Sequence, residues 1–485
     1  MGSVMVRRRI YMRRAIVRGD GSLYTSFGGE KRQKGVRRVD THGHSVDEAV
    51  PGVEETTLRR AILGASIGNT VEWFDFATYN FLAVTLAVVF FPPGNPTAAL
   101  LSTFAVFAAA FFVRPLGGLF FGPLGDKVGR QRVLATVIIL MSVSTFVIGL
   151  LPSYATIGIW APLLLVVARC VQGFSAGGEF GGASTFLAEY SPDERRGFLV
   201  SWLEFSTLIG FVVGSTLVLF LTTVLPDDAM TSWGWRIPFL LAGPLGVVGL
   251  YIRLRLEDTP EFRALEETGE VSQSPFRETL VENWKQILQV GGLVIIQNIG
   301  FYVVLSYMTT YFQDPLGFSP TAASLSTTIT LLVGMVLIPP LGALSDRVGR
   351  KPLLLASCIG YAVLTYPLFL LLNTGNLFAA VVAHVALGAL LAVFISTSIA
   401  ALTELFPTRV RYGGFSIGYN FSVAIFGGSS PYLAQYLVST TGNSLSPAFI
   451  VIGGALATLL VVLTVSETAG TDLLKTQEDL EGAST

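Results

Sequence analysis

Four charged residues lie where charge is expensive. Glu72, Asp75, Arg114 and Arg169 each sit inside an apolar run long enough to cross a hydrocarbon core. Arg114 precedes Asp126, at the end of its run, by twelve residues, or ~18 Å of helix. Arg169 is about as deep, and Glu72 and Asp75 lie ~18 to 24 Å into the first run. A charge at the bilayer centre costs at least ~2.5 to 3.5 kcal/mol, so such residues face a cavity and pair. Two chemistries fit: structural salt bridges holding the first run against the second and fourth, or direct handling of a charged solute and a proton.

Glu72, Asp75, Phe76 and Tyr79 follow i, i+3, i+4, i+7 spacing and share one helical stripe, with Trp73 beside it. Acids and aromatics on one face make a wall suited to a cation. Gln172 is one turn from Arg169, and the glycines that follow it, among them Gly173 and Gly177, allow close helix approach. Glu179 is ~15 Å further along the same helix. Asp75, Glu72 and Glu179 are therefore the expected proton carriers, Asp75 first, because it and Glu72 are poorly placed to be charged together. Later runs contribute Gln297, Asn298, Phe301, Tyr302, Tyr307, Tyr419 and Asn420 as substrate contacts or interhelical glue. His384 reads as a hydrogen-bonded core residue before a proton relay.

The elements that must position these residues are membrane helices. The 485-residue chain is 51% hydrophobic and 13% charged, with a mean hydropathy of +0.61, too apolar for a soluble protein of this length. Apolar runs number twelve, six before and six after a polar stretch. The loops "PPGNPT", "PSYATIG", "PDDAMTSW", "QDPLGFSP", "NTGN" and "TTGNSLS" hold no Lys or Arg, whereas every intervening loop does. By the positive-inside rule, both termini are expected in the cytoplasm. The expected organisation is a disordered basic cytoplasmic tail at 1–57, a six-helix half at 58–254, a cytoplasmic linker at 255–285, a second half at 286–467 and a tail at 468–485. The first 40 residues hold 11 of the 32 Lys and Arg, yet nothing else supports a nucleic-acid partner. Cys170 and Cys358 fall in different halves and read as inert core thiols.

"GPLGDKVGRQ" from Gly122 recurs as "GALSDRVGRK" from Gly342, and "AEYSPDERRGF" around Glu189 as "TELFPTRVRYGGF" around Glu404. Two motifs, each repeated at matching places, indicate a duplicated transporter. No Walker loop, nucleophilic triad or metal-ligand cluster appears in the loops, so no enzyme activity, metal or cofactor is expected. Transport would run on an ion gradient.

These hairpins resemble those of the major facilitator superfamily. "GNTVEWFDFATYNF" from Gly68, "RPLGGLFFGPLGDKVGRQ" from Arg114, "QGFSAGGEFGGASTFLAEYSPDERRGF" from Gln172, "WGWRIPF" from Trp233 and "LEDTPEF" from Leu256 are similar to the metabolite:proton symporters, and most to the bacterial proline/betaine:proton symporters, over about Gly64 to Thr468. The resemblance implies an all-α inner-membrane protein of twelve helices in two halves. It also implies proton-coupled uptake of a zwitterion such as proline or glycine betaine by alternating access, functional as a monomer. An organic acid of the 2-oxoglutarate, citrate or shikimate class is the alternative. It further implies a cytoplasmic gate, in which Asp126 meets the start of the eleventh helix and Arg130 pairs with Glu189, with Asp346, Arg350 and Glu404 as the repeat. The long C-terminal coiled coil of osmosensory members has no match in the short "TAGTDLLKTQEDLEGAST".

Overall fold

The computed structural model describes residues 55–94, 96–254, 277–313 and 315–473, and four short strands before residue 50. Two compact units result, Met1–Thr57 and Leu58–Thr485. In the first, β1 (Ile16–Val17), β2 (Leu23–Thr25), β3 (Gly35–Val39) and β4 (Ser45–Ala49) pair as an antiparallel meander. The rest of the expected tail at 1–57, up to residue 54, lies outside the described residues. The register sets Arg37 opposite Asp47. The expected linker lies outside the described residues up to 276, and the C-terminal tail beyond 473.

The second unit is helical. Span one is Glu55–Phe81 continued by Ala83–Phe90. Spans two to six are Pro96–Val128, Arg130–Leu150, Trp160–Tyr190, Arg196–Val224 and Arg236–Leu254. Span seven runs through Trp284–Leu293, Ile295–Gly300, a π-helical Phe301–Tyr307 and Met308–Gln313. Spans eight to ten are Pro320–Val348, Arg350–Leu372 and Leu377–Thr403. Span eleven is Arg411–Ser422, a π-helical Val423–Gly427 and Ser430–Thr441; span twelve is Ser446–Thr464. Among the described residues ten helices are long and apolar enough to cross a membrane. The other two are span one, which carries Glu72 and Asp75, and span eleven, broken at its π turn. Large apolar side chains cover the outside, with Phe378 78% and Val336 74% exposed, as a lipid-facing surface requires.

The two halves repeat in structure. Span two packs on four and three on six; eight packs on ten and nine on twelve. The hairpins turn at Gly129 and Gly349, with φ of 103° and 102°, a conformation that excludes side chains of L-residues. Spans five with eight, and eleven with two, join the halves. Spans two and four approach closely because Gly173 and Gly177 face the Ala110 and Arg114 carbonyls, where a methyl group would overlap them. That approach brings Arg114 to the centre.

Candidate transport site

At the middle of the bundle Arg114 Nη2 contacts Glu72 Oε1 at 2.9 Å, joining spans two and one. Its Nε donates to Asn420 Oδ1 of span eleven at 3.4 Å, and Nη1 has no hydrogen-bond partner. Pro115, next in the helix, lacks the N–H that would close the turn.

Asp75 and Arg169 do not meet directly. Thr145 Oγ1 donates to Asp75 Oδ2 at 2.7 Å, Gln172 Nε2 donates to Thr145 Oγ1 at 2.8 Å, and Arg169 Nη1 donates to Gln172 Oε1. Asp75 Oδ1 and Arg169 Nε and Nη2 are buried without partners. All four residues belong to the first half. A buried polar atom without a partner is costly, and three of them gather around this one network.

The aromatic stripe serves differently from the sequence expectation. Phe76 lies between two of the protein's own cations, 5.3 Å from Arg114 and 5.2 Å from Arg169, and Arg169 is 4.2 Å from the Tyr79 ring. Cation–π contacts thus hold the guanidinium groups in place. Trp73 instead packs against Phe211 and Phe301, at 5.6 and 5.1 Å, and Phe111 packs against Tyr302 at 5.5 Å. These rings close the centre between the halves, with the Trp73 indole N–H and the Tyr302 hydroxyl lacking hydrogen-bond partners.

The second half meets the first at Gln297, whose Nε2 donates to Glu204 Oε1 at 3.1 Å while its Oε1 accepts from Ser398 at 2.8 Å. Asn298 donates to Ser422 of span eleven at 3.4 Å. Glu204 was not anticipated, nor was Thr145. The signal for Glu204 is present in the sequence: an acid inside the apolar run of span five. With it, Glu72, Asp75 and Glu204 are buried alongside Arg114 and Arg169. Glu179 is also buried. His384 is a satisfied core residue: Nε2 donates to the Val304 carbonyl at 2.7 Å and Nδ1 accepts from Ser326 at 2.8 Å.

The hairpin residues cluster at one end. Asp126 accepts from Gly413 N at 2.7 Å and Tyr412 N at 3.3 Å, at the start of span eleven. Arg130 contacts Asp126 and Glu189, both at 3.2 Å, and Arg411 reaches Glu189 at 2.9 Å. In the repeat, Asp346 accepts from Gly197 N at 2.7 Å and Phe198 N at 2.8 Å, at the start of span five. Arg350 contacts Asp346 at 2.8 Å and Glu404 at 3.2 Å, and Arg196 reaches Glu404 at 3.0 Å. Each cluster pairs two acids with two arginines and ties one half to the other.

Residues 61–274 match the family described as Sugar (and other) transporter, and residues 290–483 match Major Facilitator Superfamily. The proline/betaine transporter of Escherichia coli (strain K12) is 42% identical, over 87% of this chain and 86% of that protein. The glycine betaine/proline/ectoine/pipecolic acid transporter OusA of Dickeya dadantii (strain 3937) is 43% identical, over 87% and 86%. Among solved structures, the proton:xylose symporter XylE bound to 6-bromo-6-deoxy-D-glucose superposes with a TM-score of 0.75 at 20% identity, covering 88% of this chain and 99% of that one. The chain is a multi-pass membrane transporter and not an enzyme, and it belongs to the major facilitator superfamily, in the group of the bacterial proline/betaine transporters.

Proposed function

We propose that this protein takes up a small zwitterion of the proline or glycine betaine class together with a proton, as a monomer in the plasma membrane with both termini in the cytoplasm. The loop charge pattern supports that orientation. The observation that carries the reading is the Arg169 guanidinium, buried with Nε and Nη2 free of partners, beside Asp75 with a free Oδ1. A solute carboxylate fits the guanidinium fork. The names of the relatives agree with this class.

Glu72, Trp73, Asp75, Phe76, Tyr79, Arg114, Arg169, Gln172, Gln297, Asn298 and Tyr302 form the proposed substrate region, and Asp75 is the proposed proton acceptor ahead of Glu72 and Glu179. Glu72 is committed to Arg114. Asp126, Arg130, Glu189, Asp346, Arg350 and Glu404 form the proposed cytoplasmic gate. Proteoliposomes under an imposed pH gradient, acidic outside, test the reading: labelled proline should accumulate and unlabelled betaine should compete. Competition by 2-oxoglutarate with no effect of betaine would replace the zwitterion with the organic acid.

A further inference from the structure

Glu204 lies on span five, eight residues from Arg196 at its start, or ~12 Å above the gate. It is 2% exposed. Its hydrogen bond comes from Gln297 of the opposite half, and among the described residues no arginine or lysine pairs with it. Two other buried acids differ: Glu72 meets Arg114 directly, and Asp75 accepts from Thr145, which Gln172 links to Arg169. A carboxylate out of water and without a cation carries a penalty of several kcal/mol, and a proton removes it.

The surroundings are consistent with one neutralising partner. Asn69 of span one is occupied by the Leu203 carbonyl and the Ser206 and Thr207 hydroxyls, which flank Glu204 on its own span. Tyr419 of span eleven interacts electrostatically with Glu204, Arg114, Tyr302 and Glu72 together, so these five groups form one neighbourhood across the two halves. Asp346, Arg350, Glu404 and Arg196, at the gate end, are engaged with one another. Glu179, Glu189 and Arg169 are the charged groups of span four, and His384 of span ten is held by Ser326 and Val304.

Resting on the proton-coupled reading above, we propose that Glu204 is a second site of the transported proton, and that its bond to Gln297 makes the proton bias the arrangement of the halves. Asp75 bonds within the first half and cannot do this directly, whereas the Glu204–Gln297 bond crosses from span five to span seven. While the halves are closed above the gate, the carboxylate takes up H⁺ and becomes a neutral carboxyl. When spans five and seven part, water solvates the carboxylate and the proton passes to the cytoplasmic water. An acid that is dry in one arrangement and wet in the other binds the proton with different affinity in the two, which is what coupling requires.

The test uses the full chain in proteoliposomes with Glu204→Gln and Glu204→Asp. Glu204→Gln should keep counterflow of labelled proline within about twofold of the parent yet lose pH-gradient-driven accumulation, and Glu204→Asp should restore accumulation at least in part. Retained counterflow also shows that the variant has folded. Accumulation at the parent level in Glu204→Gln overturns the proposal, and so does joint loss of both activities with a raised KM, which would make Glu204 a contact for the substrate's cationic group. A second readout needs no substrate: acid-minus-alkaline infrared difference spectra of the reconstituted protein should show a protonated-carboxyl band that Glu204→Gln diminishes. If the parent moves no proline, the substrate class is wrong, and the infrared band alone decides for Glu204. An unchanged band sinks it.

Discussion

Asp126 of the first half and Gly413 of the second are joined by a 2.7 Å hydrogen bond, and the repeat of this contact, Asp346 with Gly197, also measures 2.7 Å. Each acid caps the start of a span from the opposite half, where the helix dipole favours an anion. Each is also held by the arginine four residues on. The duplicated hairpin is thus a pair of crossed latches.

Asp126→Asn weakens one latch without changing its shape. Hydrogen bonds to a charged group are worth ~1.5 to 3 kcal/mol each, so losing the charge should favour the gate-open form by about tenfold or more. Ser416→Cys, in a background without Cys170 and Cys358, reports the change, because Ser416 is buried between spans eleven and four against Gly181. Labelling should rise in Asp126→Asn and again in the Asp126→Asn/Asp346→Asn double variant. Unchanged labelling in both would leave the hairpins a role in insertion alone.

The spans and latches were legible because each leaves a periodic mark: apolar runs of fixed length, basic residues in every second loop, and a hairpin motif repeated 220 positions apart. The depth of Glu72, Asp75, Arg114 and Arg169 followed from helix rise. Partner choice did not follow, because it depends on helix rotation, which equal depth leaves undetermined. Arg169 therefore binds Gln172 and three aromatic rings in place of an acid. The strands between residues 16 and 49 were missed because segments of two to five residues give too short a window for period-2 alternation.

Removing Arg114 should do two separable things. Arg114→Ala takes from the buried Glu72 its 2.9 Å guanidinium contact, at ~3 to 5 kcal/mol, so it should lower thermal stability in detergent and abolish uptake. Arg114→Met with Glu72→Gln removes both charges and should recover most of the stability while uptake stays absent. Recovery of uptake in the double variant would make the pair purely structural.

Arg169 and Asp75 divide differently. Arg169→Ala should abolish uptake, whereas Arg169→Lys should retain part of it, because an ammonium keeps the charge over Tyr79 without the guanidinium fork. Asp75→Asn keeps an oxygen for Thr145 but cannot carry a proton, so counterflow should persist while gradient-driven accumulation falls. Full accumulation in Asp75→Asn would move proton uptake to another acid.

The chain beyond span twelve crosses the gate, and loosening it should open the gate. Glu467 accepts from Arg350 N at 2.8 Å and Lys351 N at 3.1 Å, capping span nine, and also from Thr468 N and Ala469 N. Partial burial pushes its carboxyl up, but these four backbone donors outweigh burial and hold it below the usual glutamate range. A depressed value means that the ionised cap is present above the ordinary glutamate range and is lost as pH falls through the lowered value. Thr468 Oγ1 then donates to Glu404, Arg196 Nη1 to the Thr471 carbonyl at 3.0 Å, and Arg411 Nη2 to the Leu473 carbonyl at 2.9 Å. One arginine from each half is thereby tied to the same short strap, whose Leu473 side chain is buried in the core. Leu473→Asp drives that side chain towards water, and Thr468→Ala removes the bond to Glu404. Both should raise Ser416→Cys labelling at neutral pH, the first by more, since it disrupts two arginine contacts at once. Acidification should increase labelling in the parent but less in Glu467→Gln, whose cap no longer titrates. Equal responses to acid in the two proteins would show that Glu467 does not hold the strap.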